Sequence, residues 1–79
     1  MPNAPVEILG WDETNSYWAA KRDGEPSFTG VQGLGDAYMA CTARDADLII
    51  SDDVYAEMVA AGDAPPERPN WVHPPSSVE

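Results

Sequence analysis

Two side chains of the sequence could carry nucleophilic chemistry, Cys41 and His73, each the single residue of its type. A nucleophile needs a neighbouring base and a third group that orients the base. Cys41 falls in the middle of a predicted helix, on its apolar side, and His73 stands between Val72 and Pro74 in a proline-rich segment. We interpret Cys41 as a small core residue, with an exposed thiol that bridges two copies of the chain as the alternative. His73 is interpreted as a solvated residue, and the sequence predicts a protein that is not an enzyme.

A short glycine pattern, Gly33-x-Gly35, imitates part of a dinucleotide-binding fingerprint because it follows a possible strand and opens a helix. The third glycine position of the fingerprint holds Tyr38, and Asp36 would place a negative charge against the pyrophosphate. The glycines therefore indicate a turn, and we expect no nucleotide cofactor.

The carboxylates do not follow the spacing of a known metal loop. The pair Asp52-Asp53 could hold a divalent cation through oxygen ligands, but Asp45-x-Asp47 lacks the glycine of a calcium-binding EF-hand. One cysteine and one histidine are too few for a structural zinc site, which takes about four such ligands. The sequence predicts neither a metal nor any other cofactor.

The charge of the chain is strongly negative, since 14 Asp and Glu stand against 4 Lys and Arg in 79 residues, for a formal net charge of −10. Proteins that bind nucleic acid directly neutralise phosphates with Lys and Arg. This composition therefore disfavours a nucleic-acid ligand, and it disfavours an anionic membrane surface for the same reason. It favours a basic partner, such as a protein whose own surface is built to bind nucleic acid.

Seven of the carboxylates fall in one third of the chain, whereas Lys21 and Arg22 lie together at a distant predicted hairpin. One interpretation is a solvated face that keeps the protein soluble. The other is a surface that imitates the phosphates of a nucleic acid. The seven residues are Asp45, Asp47, Asp52, Asp53, Glu57, Asp63 and Glu67.

The elements that must position these residues predict a small α+β domain. Three strands over residues 6–9, 16–21 and 27–31 form an antiparallel meander, with Asp23-Gly24 as a hairpin signal. A helix over residues 37–44 follows, with Asp36 as its N-cap and with Leu34, Tyr38 and Cys41 facing the sheet.

Residues 48–50 form the most apolar run and predict a buried strand. The second helix begins after the cap Ser51 and ends at Gly62. Its apolar stripe is predicted to contain Val54, Tyr55, Met58, Val59 and Ala61.

The chain divides into a compact domain over residues 1–63 and a proline-rich extended tail over residues 64–79. Five of the eight prolines lie in the tail, which excludes a helix or a central strand there. The tail is either free or docked on the domain through Trp71. The N-terminus lacks the basic and apolar segments of a signal peptide, and no apolar run is long enough for a membrane span. We expect a cytoplasmic protein.

In size, acidity and α/β layout, residues 6–63 resemble the small inhibitor proteins of phages and mobile elements, which include anti-CRISPR proteins, uracil-DNA glycosylase inhibitors and anti-restriction proteins. The residues that carry the resemblance are Asp45, Asp47, Asp52, Asp53, Glu57 and Asp63, together with the segment 17–24. The resemblance is one of character and not of a shared motif. It implies a stoichiometric inhibitor of a nucleic-acid-handling protein, acting in the cytoplasm of a bacterial host if a phage encodes it.

The leading hypothesis is an acidic protein that occupies a cationic nucleic-acid site on its partner. Tyr17 and Trp18 are the candidate aromatic anchors beside the carboxylates named above, with a place in the core as the alternative for each ring. A homodimer linked through Cys41 is left open by the sequence. The alternatives are a structural or accessory subunit, such as a virion component, whose tail docks on a neighbour, and an antitoxin or immunity protein.

Overall fold

Five strands and two helices make up the fold in the computed structural model, which describes residues 4–75. The strands form one sheet in the order β3-β2-β1-β4-β5. Neighbouring strands are antiparallel from β3 to β1, whereas β4 is parallel to β1 and β5 is parallel to β4. The α+β fold class and the antiparallel meander are confirmed. The elements are β1 Val6–Asp12, β2 Tyr17–Arg22, β3 Gly30–Val31, α1 Leu34–Arg44, β4 Leu48–Ile50, α2 Asp52–Ala60 and β5 Val72–His73.

The core lies between one face of this sheet and the two helices. Directly paired residues on adjacent strands point to the same face, and the register places most of the buried sheet residues on a common face. Alternate positions along β1 and β2 are buried, as expected for strands with one covered face. The core cluster combines Val6, Ile8, Trp18, Ala20, Val31, Leu48, Ile50 and Val72 of the sheet with Leu34, Ala37, Cys41, Val54, Tyr55 and Met58 of the helices.

The first strand is longer than predicted, since β1 continues to Asp12 rather than ending at residue 9. A β-bulge between Ile8 and Gly10 shifts the register, and Gly10 adopts a φ of 151° there. The extra residue interrupts the period-two alternation. The alternating pattern therefore ends at the bulge, although the strand continues beyond it. The Asp12 carboxylate then closes the turn by accepting the backbone N–H of Thr14 and of Asn15.

The third strand is shorter than predicted, because only Gly30–Val31 pairs with β2. The Phe28 N–H donates to the Glu25 carbonyl at 3.1 Å, which makes a turn in place of a strand. The connection after Gly24, where φ is 83°, is therefore a loop and not a two-residue hairpin.

The first helix begins at Leu34, so the prediction of Asp36 as its N-cap was wrong. Asp36 lies in the first turn, where its carboxylate accepts the N–H of Gln32 at 2.9 Å. The prediction that Tyr38 faces the sheet was also wrong, since its side chain is 48% exposed. The buried arc of α1 contains Ala37 in its place, because that arc is narrow and passes through positions 34, 37 and 41.

The second helix has the predicted cap, since the Ser51 hydroxyl accepts the Val54 N–H at 3.3 Å. Its buried stripe is Val54, Tyr55 and Met58, with Val59 half-buried. Ala61 follows the last helical residue and is exposed, so it does not belong to the stripe. Gly62, at φ 81°, ends the helix as predicted.

The proline-rich segment returns to the sheet and adds its edge strand. Leu48 pairs with Val72 and Ile49 with His73, so that β5 covers the outer edge of β4. The Trp71 ring lies edge-on to Tyr38, with centroids 4.9 Å apart. Residues 1–3 of the predicted domain and residues 76–79 of the predicted tail lie outside the described residues.

Within residues 4–75, neither helix is long and apolar enough to cross a membrane.

Candidate partner-binding surface

The second helix presents two carboxylates to solvent on the side away from the core. Asp53 and Glu57 are exposed and lie four residues apart, so their side chains stand one above the other on one face of α2. Neither takes part in an ion pair with any part of the described chain. Val54 and Met58, which directly follow these two residues, fix the orientation of this face because both are buried in the core.

Asp52 differs from its neighbour because it already has a partner within the chain. Its carboxylate lies 3.1 Å from the Arg68 guanidinium, which also donates to the Ile50 carbonyl at 2.9 Å. Asp52 and Asp53 both lie in the first turn of α2, where the helix dipole favours a negative charge. Part of the acidity of this helix therefore has a structural role.

Asp63 is also engaged, since its carboxylate accepts the Trp18 indole N–H at 2.7 Å. The Asp63 carbonyl accepts the Leu34 N–H at 3.0 Å, and its own N–H donates to Met58 at 2.8 Å. These bonds attach the end of α2 to β2 and to the start of α1. Asp63 is half-buried, and its hydrogen bonds within the chain give it a structural role.

The remaining two of the six predicted carboxylates lie at a different place in the fold. Asp45 ends α1 in the left-handed conformation at φ 51°, and its N–H caps the last turn of the helix. Asp47 precedes β4, and its carbonyl accepts the Val6 N–H at 2.9 Å. Both residues are exposed beside a cleft that Tyr38 and Trp71 also line, whereas Glu57 and Asp63 line another. The six predicted carboxylates therefore do not form one continuous site.

Neither predicted aromatic anchor is freely exposed. Trp18 is 2% exposed and belongs to the core, which removes it as a surface contact. Tyr17 is half-buried, and its ring covers Gly30, where even a Cβ atom would lie 2.5 Å from the ring.

The exposed indole at this end of the sheet is Trp11, which the sequence analysis missed. Its side chain is 46% exposed, and its ring meets Trp18 edge-to-face with centroids 5.3 Å apart. A signal for it exists in the sequence. A turn over residues 12–16 pairs Asp12 with Tyr17, and the next pair outward is Trp11 with Trp18.

A groove runs between Trp11 and the second half of α2, and we call it the Trp11 groove. It is lined by Trp11, Trp18, Glu57, Ala60, Ala61 and Asp63. The side chains of Ala60, at the end of the helix, and Ala61, just after it, are small and leave the groove open. The Asp63–Trp18 hydrogen bond lies in the lining. The groove therefore combines an exposed ring, small apolar side chains and carboxylates.

All three arginines lie away from this groove. Arg44 binds the Glu25 carboxylate, which also lies 3.5 Å from Arg22, and the third, Arg68, pairs with Asp52. The hydrogen bond from Arg44 holds the pKa of Glu25 below its usual value and raises the pKa of Arg44. The three arginines are thus paired within the chain, where they hold the loop before β3 and the segment after α2.

The two residues considered for nucleophilic chemistry have structural positions. Cys41 is 5% exposed, and burial raises the pKa of its thiol to about 11, so the thiol is protonated at neutral pH. A buried thiol is not placed to bridge two copies of the folded chain. His73 is half-buried in β5 opposite Ile49. No group of three potential metal ligands occurs within residues 4–75.

The chain matches no protein family, no curated protein and no solved structure. Its function is therefore inferred from its own residues.

Proposed function

We propose that this chain is a non-catalytic acidic protein that binds the cationic surface of a nucleic-acid-handling protein in the cytoplasm and blocks it. The observation that carries the proposal is the outer face of α2. Asp53 and Glu57 project there without an internal cation, and Glu57 lines the same groove as the half-exposed ring of Trp11. Charge brings a basic partner to this face, and a central aromatic contact stabilises the complex.

The scaffold supports the proposal because it holds the charges in fixed positions. The capped start of α2 and its buried stripe fix the helix against β1, so Asp53 and Glu57 keep a constant spacing. A fixed row of negative charges can take the place of successive phosphates on a protein that binds DNA or RNA. This is the strategy that an anti-CRISPR-like nucleic-acid mimic would use.

The test is capture of partners from a bacterial lysate by the wild-type chain and by Asp53→Lys/Glu57→Lys. We expect the wild type to retain basic nucleic-acid-binding proteins that wash off as salt rises, because exposed charges are screened over about 10 Å at 0.1 M salt. The charge-reversed chain should lose them.

The matched control is Asp23→Lys/Glu67→Lys, which changes the net charge equally at two exposed residues that do not lie on α2. It should keep most of the binding. Equal capture by wild type and Asp53→Lys/Glu57→Lys at low salt would contradict the proposal, and equal loss in both variants would show that only the net charge matters.

A second candidate function, that of an accessory subunit, is favoured by the outer face of α1. Tyr38 is 48% and Met39 66% exposed, and Trp71 lies against the first of these. In that case Met39→Lys should abolish association, while reversal of Asp53 and Glu57 should have little effect.

A further inference from the structure

The chain itself shows how an arginine is held on its surface. The Arg44 guanidinium lies 4.4 Å from the centre of the Phe28 ring and binds the Glu25 carboxylate. Arg68 lies 5.1 Å from the centre of the Tyr55 ring and pairs with Asp52. In both places an aromatic ring and a carboxylate bind the same guanidinium together.

The Trp11 groove offers the same two groups to a molecule outside the chain. The Trp11 ring is 46% exposed, and the carboxylate of Glu57 lies in the same lining. Each arginine of the chain is paired at Glu25 or Asp52, so none of them covers this ring. Ala60 and Ala61 leave space beside the ring for a side chain to enter.

We propose that the Trp11 groove binds an arginine side chain of a basic partner protein, with the guanidinium against the Trp11 indole and its charge paired with Glu57. The charge complementarity of the groove favours a cation, and the exposed indole favours the planar one. A guanidinium is weakly hydrated and stacks on aromatic rings, whereas an ammonium is a compact and strongly hydrated charge. Indole is also the ring with the strongest cation–π attraction.

This inference rests on the proposed function, because it names the chemistry with which the same surface recognises its partner. Tetra-arginine and tetra-lysine peptides separate the two ideas, since they carry equal charge and differ only in the cationic group. Their affinities for the full chain are measured at 0.15 M salt by titration, with the indole N–H signals of the tryptophans observed by NMR.

We expect tetra-arginine to bind about three-fold more tightly than tetra-lysine, as an exposed cation–π contact implies. The Trp11 indole signal should shift more than that of Trp18, whose N–H is held by Asp63. Trp11→Leu should equalise the two peptides, and Trp11→Phe, which keeps a ring, should retain part of the preference. Tyr38→Leu, at the other exposed ring, should leave the preference unchanged.

Equal affinities for the two peptides in the wild type, or a preference that survives Trp11→Leu, would overturn the inference. A cooperative thermal unfolding transition shows that each variant is folded. Equal capture from the lysate by the wild type and by Asp53→Lys/Glu57→Lys would overturn the proposed function. The peptide titrations would still decide whether the groove prefers arginine.

Discussion

At the residue scale, the bond between Trp18 and Asp63 joins elements that are 45 positions apart in the chain. From the sequence both residues were candidate partner contacts, with the core as the alternative for Trp18, because carboxylates and aromatic residues both occur at interfaces. The structure uses one to satisfy the other, since a buried indole N–H needs an acceptor. Trp11, which was not predicted as part of the site, lies beside Trp18 because the register of β1 and β2 pairs these two residues.

Removing the acceptor should destabilise the protein. Asp63→Ala leaves the Trp18 N–H without its partner, and an unsatisfied buried donor costs about 1–3 kcal/mol. Urea unfolding should show this loss in the free energy of unfolding, while Glu67→Ala, at an exposed carboxylate, should stay near the wild type. A stability for Asp63→Ala equal to that of the control would show that the hydrogen bond contributes nothing.

The Cys41 thiol should lower the stability of the fold in alkaline solution. Burial raises its pKa to about 11 from 9.0, so the folded state holds the proton more tightly than the unfolded state does. The stabilisation that the protonated thiol gives the folded state is complete below pH 9 and is lost as the pH rises towards 11. The free energy of unfolding should fall more steeply over this range in the wild type than in Cys41→Ala. Parallel pH curves for the two proteins would contradict the assignment.

At the scale of the elements, periodicity predicted the helices and strands that bury one side and failed where geometry interrupts the period. The bulge at Gly10 lengthens β1 beyond its pattern, and the turn at Phe28 shortens β3. The helix α2 was predicted well because its cap, its stripe and its final glycine all indicate the same bounds. Which of its acids are engaged could not be predicted, because Arg68 reaches Asp52 from a segment with no regular pattern.

The loop before β3 depends on one carboxylate shared between two elements. Glu25 binds Arg44 of α1 and lies near Arg22 of β2, and the hydrogen bond from Arg44 lowers the pKa of Glu25. Because the pKa of Glu25 is lower in the folded than in the unfolded state, the ionised carboxylate stabilises the fold at pH values above its unfolded pKa of about 4.5. This stabilisation is lost as the pH falls through the folded pKa. Glu25→Gln should therefore flatten the acid side of the stability curve below about pH 5.

Thermal unfolding between pH 3 and 7 measures this effect. Glu13→Gln, at an exposed residue of the β1–β2 turn, is the matched control and should follow the wild-type curve. An acid limb as steep in Glu25→Gln as in the wild type would show that the ion pairs do not link the loop to α1.

At the scale of the whole molecule, the proline-rich segment completes the sheet and does more than follow it. A domain of fewer than about 80 residues gains only roughly 3–5 kcal/mol from its core, so each buried contact is a large share of the total. Val72 is 3% exposed, and β5 pairs with the edge of β4. Composition predicted an extended, proline-rich segment, but the pairing partner of a two-residue strand is set by the tertiary structure and has no sequence signature.

Truncation after residue 67 should therefore cost most of the stability. It removes Arg68 from the end of β4, Trp71 from Tyr38 and Val72 from the core. We expect a chain with little near-ultraviolet circular dichroism at 37 °C, because the fixed packing of its tryptophans would be lost. A truncated chain that unfolds cooperatively with the midpoint of the wild type would contradict this role.

The central claim concerns the face of α2 that carries Asp53 and Glu57, namely that it occupies the site on its partner where nucleic acid binds. The most direct measurement is competition, in which a captured partner is titrated with its labelled DNA or RNA in the presence of increasing amounts of the chain. We expect the nucleic acid to be displaced stoichiometrically by the wild type and by Asp23→Lys/Glu67→Lys, but not by Asp53→Lys/Glu57→Lys. A ternary complex, in which the partner holds the chain and its nucleic acid at the same time without loss of affinity, would contradict the account.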